Sequence, residues 1–263
     1  MKISDLGYFD LHAHTTASDG EYSPSDLVRK ARALGLQTIA ITDHDTLDGI
    51  AEAERTGEEL GVRVIAGVEL STKYNGKTID ILGYHIRKRG ELHELLSNMR
   101  KFRENRAELI IAKFAELGMP ISMEDVLEFS KGGVIGRPHI AKAVVKKGYV
   151  SDVQTVFDEY LADGKPCAVD KRMLSPQEGI DLIHRAGGKA VLAHPVYLDD
   201  ELVEELLERH NFDGIEVWHR NHGPEENEKY KRLAAKYRLF MTGGSDFHHD
   251  EHQLGSFGYP GGN

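Results

Sequence analysis

Residues 37–70 read QTIAITDHDTLDGIAEAERTGEELGVRVIAGVEL. A short β-rich apolar run (37–43) passes through a polar turn into an amphipathic helical segment (49–61), and Gly61 stands where a C-cap belongs. A second β-rich run follows at 63–70. Strand, helix, strand is the crossover unit that lays two strands parallel in one sheet.

The alternation continues on both sides. Further strand-like runs are YFDLHAH (8–14), TIDILGYH (78–85), KAVLAHP (189–195), GIEVW (214–218) and LFMTGGSD (239–246). Helix-like stretches occupy 24–35, 175–187, 200–210 and 224–237; Ser23 before Pro24 reads as an N-cap, and Gly35 and Gly187 as C-caps. The expected class is α/β, a parallel sheet covered by helices, either a barrel or a doubly wound sheet. Residues 88–165 break the pattern and read as helices only. The expected organisation is therefore a first part of the sheet domain at 1–88, a helical insertion at 89–165, and a second part at 166–263 with a glycine-rich closing loop.

Composition narrows the class. Of 263 residues 40% are hydrophobic and 29% charged, which excludes a disordered chain. Cys167 is the sole cysteine, so neither an intrachain disulfide nor a thiolate zinc site can form. The opening MKISDLGYFDLHAH has no apolar signal core, and no long apolar run follows, so a cytoplasmic protein without membrane contact is expected. A net charge of −10 argues against binding long duplex nucleic acid. Fourteen histidines are the unusual feature, and their positions matter more than their number.

Those positions fall at strand ends. His12 and His14 end the first run, Asp43 and His44 the second, and Glu69 the third; Asp80 and His85 lie on the fourth, His194 ends a later one, and Asp246 and His248 follow the last. In parallel α/β folds such ends converge on one face, and buried charged groups there need partners or ions. His12 and His14, two apart, share one face of a strand and can grip one ion; by itself this spacing is weak, but Asp19 and the TDHD turn strengthen it. Asp45 reads as a cap for the next helix and Asp43 as a carboxylate orienting a neighbouring imidazole. Imidazole and carboxylate without thiolate suit Mn²⁺, Fe²⁺ or Zn²⁺, and two or three ions sharing Glu69 would form a centre for displacement at phosphorus.

In order, DLHAHTTASDG (10–20), AITDHD (40–45), GVELS (67–71), LAHP (192–195) and GSDFH (244–248) resemble the PHP (polymerase and histidinol phosphatase) metal-dependent phosphoesterases. The similarity is greatest to the branch of 3′,5′-nucleotide bisphosphate phosphatases and 5′→3′ exoribonucleases, which carries a motif like GRPHIA (136–141) in its helical insertion. The resemblance implies a distorted (β/α)7 barrel with a small inserted helical domain and a trinuclear centre. It implies one metal on His12, His14, Glu69 and Asp246, a second on Glu69 and His194, and a third on Asp19, His44 and His248. Many relatives have His where Asp80 stands here; Asp80 can still ligate the second metal, whereas His85 is out of register.

Further roles follow as expectations. His194, Asp246 and His219 are the expected catalytic residues, with His219 or His222 donating a proton or touching substrate. Arg137 and His139 are expected to contact a phosphate, their alternative being simply the start of a helix, and Lys171 and Arg172 are further phosphate candidates. The expected activity is hydrolysis of a terminal phosphate ester of 3′,5′-bisphosphonucleosides, or of short RNA from its 5′ end, by metal-activated water. Mn²⁺ is the expected ion. The rivals are a histidinol-phosphate or other sugar-phosphate phosphatase, an amidohydrolase (disfavoured because no strand-end lysine suited to bridging metals is evident), and a non-catalytic metal-stabilised module.

Overall fold

The computed structural model of the protein describes residues 3–130, 136–162, 164–169 and 173–259. The chain divides into two compact units, Met1–Leu96 with Met173–Asn263, and Ser97–Arg172.

The first unit is built on one seven-stranded sheet whose spatial order is the chain order. Its strands are β1 (Phe9–Asp10), β2 (Thr38–Ile41), β3 (Arg63–Tyr74), β4 (Lys77–Tyr84), β5 (Lys189–Leu192), β6 (Gly214–His219) and β7 (Phe240–Gly244). The first and last strands meet. Leu11 N–H donates to the Gly243 carbonyl at 3.2 Å, His14 N–H to Phe247 at 2.8 Å, and Phe247 N–H to His12 at 3.1 Å. The sheet is thus a nearly closed barrel, and closure satisfies the edges an open sheet would leave unpaired. The seam is tight: a Cβ on Gly244 would lie 2.4 Å from the backbone nitrogen and Cβ of His12, so only glycine fits. Beside it, the buried Asp10 carboxylate accepts from Ser245 N–H at 3.0 Å and Gly255 N–H at 2.8 Å.

Helices α1 (Pro24–Ala33) and α2 (Ile50–Leu60) follow β1 and β2. Ser23 caps α1 by accepting from Asp26 N–H, and Gly61 ends α2 with φ near 68°. All four residues of β2, TIAI, are buried, as expected of a strand covered on both faces.

The expectation of an all-parallel sheet is corrected at β4, which runs antiparallel to both β3 and β5. No crossover helix intervenes; β3 and β4 form a hairpin whose two turn residues, Asn75 and Gly76, have φ of 47° and 84°. Asn-Gly is the pair that such a turn requires, and it stands in the sequence between two β-rich runs. The hairpin also carries β3 five residues past Glu69, which sits inside a strand rather than at its end. Since β4 runs the other way, Asp80, opposite Ser71, lies two pairs beyond Glu69 toward the turn, while His85 emerges at the opposite end beside the start of β5.

Helix α3 (Arg89–Glu116) crosses the division between the units. Its first turns bury Leu92 and Leu96 in the barrel's core. In the helical unit, Ile110 and Phe114 of α3 share a second core with Val126 of α4 (Met123–Ser130) and Ile140 and Val144 of α5 (Arg137–Lys146). Val156 of α6 (Val153–Val156) and Cys167 belong to the same core, and the compact unit that holds it runs from Ser97 to Arg172, beside the 89–165 read from the sequence. The barrel's outer layer is completed by α7 (Pro176–Arg185), α8 (Asp200–Arg209) and α9 (Pro224–Tyr237). Among the described residues no helix is long and apolar enough to cross a membrane.

Candidate metal centre

Glu69 organises the centre. It is buried on β3 and reached by four imidazoles from three segments. Its Oε2 lies 3.2 Å from His12 Nε2, 3.2 Å from His14 Nε2 and 3.3 Å from His44 Nδ1, and its Oε1 lies 2.9 Å from His194 Nε2. Asp246, just after β7, places Oδ1 3.5 Å from His12 Nε2 and 3.3 Å from His14 Nε2. Asp19, in the loop before α1, lies 3.8 Å from His14 Nδ1, 3.9 Å from His44 Nε2 and 3.4 Å from His248 Nε2.

Donor atoms therefore gather in three sets: His12, His14, Glu69 and Asp246; Glu69, Asp80 and His194; and His14, Asp19, His44 and His248. The second ring nitrogen of His14 joins the third set, a sharing the sequence reading does not contain.

Charge explains the titration of these groups. Burial opposes protonation of His12, but Glu69, Glu216 and Asp246 outweigh it and hold its pKa well above the usual value. His14 is raised to about 9: burial opposes its charge, and Asp246 and Glu69 overcome that. Glu69 and Asp246 are held far below the carboxylate range; burial resists, and His12 is the first of the imidazoles that prevail. Asp80 moves the other way, raised by burial and then by Glu69. Carboxylates that stay ionised while packed among imidazoles are what a cation needs.

Backbone strain falls at the same place. His194 and Asp246 have φ of 23° and 49°, in the left-handed region side chains rarely adopt. Strain of this kind costs on the order of 1–3 kcal/mol and persists where surrounding structure imposes it, commonly at functional sites.

The PHP domain family matches residues 10–218. The chain belongs to the PHP family. It is 37% identical to the 5′-3′ exoribonuclease Rnm of Escherichia coli K12 over 94% of this chain and 88% of the relative. It is 32% identical to a 3′,5′-nucleoside bisphosphate phosphatase of Chromobacterium violaceum over 92% and 88%. A solved structure from C. violaceum, described as an amidohydrolase with bound sulfate and no metal, superposes with a TM-score of 0.70 at 30% identity, covering 98% of this chain and 94% of that one. This PHP chain is a metal-dependent hydrolase of phosphate esters.

The residues present fit a multi-metal PHP centre. Among the described residues, both ring nitrogens of His14 and Oδ1 of Asp80 are buried without a hydrogen-bond partner. The contacts of His14 Nε2 with Glu69 and Asp246 are thus charge attractions rather than hydrogen bonds, and such groups stay buried at a cost unless something bridges them.

Other PHP site residues came to light only in the structure. Glu216 on β6 accepts from His12 Nδ1 at 3.1 Å and from the His194 backbone N–H at 2.8 Å, fixing which nitrogen of His12 faces the centre. A register irregularity between Glu216 and Trp218 breaks the strand's alternation, so that Glu216 and His219, three apart, both reach the centre. The signal was an acidic residue inside the apolar run GIEVW. Arg220 places a guanidinium nitrogen 3.0 Å from Asp246 Oδ2 and donates to the Ser245 carbonyl at 2.6 Å.

Two expectations are corrected. Asp43 makes its hydrogen bonds to Thr15 and Ser18 rather than to an imidazole among the described residues: it accepts from Thr15 N–H at 2.7 Å, Thr15 Oγ at 2.8 Å and Ser18 Oγ at 2.7 Å, and so shapes the loop carrying Asp19. Asp45 does not cap α2; its Oδ1 accepts from Ser71 N–H at 3.2 Å, while Gly49 occupies the N-cap.

His219 Nε2 lies 3.5 Å from Asp246 Oδ2, and its Nδ1 accepts from Asn221 N–H at 3.1 Å, which leaves the proton of the neutral ring on Nε2. His222 is buried behind it, Nδ1 on the Val217 carbonyl at 2.8 Å, its pKa pushed down to about 4 chiefly by burial. Arg137 and His139 form the first turn of α5: Arg137 donates to the Leu161 carbonyl at 3.1 Å, and His139 Nδ1 accepts from Gly136 N–H at 3.1 Å. Lys171 and Arg172 lie outside the described residues.

Proposed function

We propose that this PHP chain hydrolyses a terminal phosphate ester of 3′,5′-bisphosphonucleosides, and accepts short RNA from its 5′ end, with Mn²⁺ as the working ion. The observation that carries the reading is the convergence of three donor sets joined through Glu69 and His14, in a chain similar to an exoribonuclease and a nucleoside bisphosphate phosphatase. In the proposed assignment His12, His14, Glu69 and Asp246 hold one ion, Glu69, Asp80 and His194 a second, and His14, Asp19, His44 and His248 a third. Bound there, divalent ions would supply a water acidic enough to attack near neutral pH and would neutralise the phosphoryl oxygens.

The chain's own groups do the rest. Glu69 belongs to two of the donor sets, its Oε2 facing His12 and His14 and its Oε1 facing His194. Glu216 fixes the ring of His12, and Arg220 holds Oδ2 of Asp246 so that Oδ1 faces the two histidines. His219 is proposed to touch the substrate, its Nε2–H donating a hydrogen bond toward the leaving oxygen while its other nitrogen accepts from Asn221. Arg137 and His139 are proposed phosphate contacts; with Nδ1 of His139 accepting from the backbone, its Nε2–H is the nitrogen left to donate. Substrates without a long duplex and a cytoplasmic setting belong to the same proposal.

The test is phosphate release after chelation, with Mn²⁺, Fe²⁺ or Zn²⁺ added back, from bisphosphonucleosides, mononucleotides, histidinol phosphate and short RNA. The proposal expects Mn²⁺-restored turnover that drops when the second phosphate is removed. Faster turnover of histidinol phosphate would replace the nucleotide assignment.

A further inference from the structure

Tyr197 is the most exposed large apolar side chain among the described residues, at 57%. A lone exposed aromatic needs no explanation by itself, but this one stands beside the metal centre. Its ring centroid is 5.2 Å from that of His194, whose Nε2 contacts Glu69, and 6.0 Å from that of His219. The planes of Tyr197 and His219 stand at 83° to each other. The position is fixed from both ends. The strained His194 is followed by Pro195, and Tyr197 N–H closes a tight turn by donating to the His194 carbonyl at 3.2 Å. At the far end the Asn221 side-chain amide donates to the Tyr197 hydroxyl, and the Asn221 backbone N–H donates to His219.

Next to the rings of His194 and His219, the fold thus holds an aromatic side chain that is open to solvent. We propose that Tyr197 is the platform on which the base of a nucleotide substrate stacks while its phosphate lies at the metal centre. The proposal rests on the nucleotide reading above and adds a recognition residue to it. Stacking engages the π-face every base possesses, so the platform selects a nucleobase without selecting its identity. It also separates nucleotides from sugar phosphates, which have no flat face to present.

The experiment compares a 3′,5′-bisphosphonucleoside with the abasic ribose 3,5-bisphosphate. In Tyr197→Ala the preference for the nucleotide, as a ratio of kcat/KM values, is expected to fall by roughly 5- to 150-fold, the range that stacking one base spans. The loss should appear in KM, because stacking is equal in ground and transition states. Tyr197→Phe, which keeps the face, should retain the preference. An unchanged ratio in Tyr197→Ala overturns the proposal, and the ratio is insensitive to general damage because both substrates use the same metals. A second readout does not depend on turnover: a 2-aminopurine nucleoside bisphosphate should be quenched on binding wild-type protein and not on binding Tyr197→Ala. If wild-type protein turns over no nucleotide, the functional reading falls; quenching that persists in Tyr197→Ala sinks the stacking platform.

Discussion

The metal-free protein should lose stability as the pH is raised from 6.5 to 9, and His14 sets the size of the loss. Its imidazole is buried against Glu69 and Asp246, and its pKa is lifted from 6.5 to about 9; burial opposes this, and the two carboxylates prevail. At about 1.4 kcal/mol per pKa unit, the folded chain holds this proton roughly 3 kcal/mol more tightly than the unfolded chain. A raised folded pKa gives stability that is complete below the unfolded value and disappears as the pH climbs through the folded one. His12 shifts in the same direction and adds to the fall. Urea unfolding in the presence of a chelator, at a series of pH values across that window, measures it. The expected loss is about 3 kcal/mol from His14, and His14→Asn should remove that share of the slope. Since a metal ion must displace these protons, divalent-ion affinity should rise over the same window, with proton release seen by calorimetry in buffers of different ionisation enthalpy. Stability that is flat or rising across the window would refute the reasoning, because it would mean that His14 does not meet ionised carboxylates in the metal-free fold.

Asp246→Ala should abolish phosphate release, lowering kcat/KM by more than about 100-fold, because it strips a donor from the set containing His12 and His14. Glu216→Gln should weaken metal binding by about 10- to 100-fold, read by competition with a chelator, since it loosens the hold on His12 and the His194 backbone. Gly244→Ala should cost about 3 kcal/mol, measured by urea unfolding, because the new methyl meets the backbone of His12 at 2.4 Å and that backbone is locked in the barrel seam.

Much of this was readable along the chain. The strand–helix–strand unit at 37–70 is visible because apolar periodicity records local free energy, and the two strands and the helix appear there, although β3 runs on to Tyr74. The histidine and carboxylate inventory was visible too, since His12, His14, Asp19, His44, Glu69, Asp80, His194, Asp246 and His248 all fall within the three donor sets. The direction of β4 was open to reading through Asn75-Gly76, but a β-rich run looks the same in either direction, and only the turn chemistry distinguishes them.

Arg220 was beyond such reading, and Glu216 showed only as an acidic residue inside the apolar run GIEVW. Glu216 meets His12 across 204 residues of chain, and a bulge that no pattern announces turns it toward the centre. Residue order by itself determined which segments are strands and helices and which side chains are able to bind metal, because both follow from neighbours in the chain. Tertiary structure alone decided that β1 closes on β7, that one glutamate serves two donor sets, and that Tyr197 stands open beside them. Those outcomes depend on contacts between distant segments, whose free energy is settled only when the barrel packs.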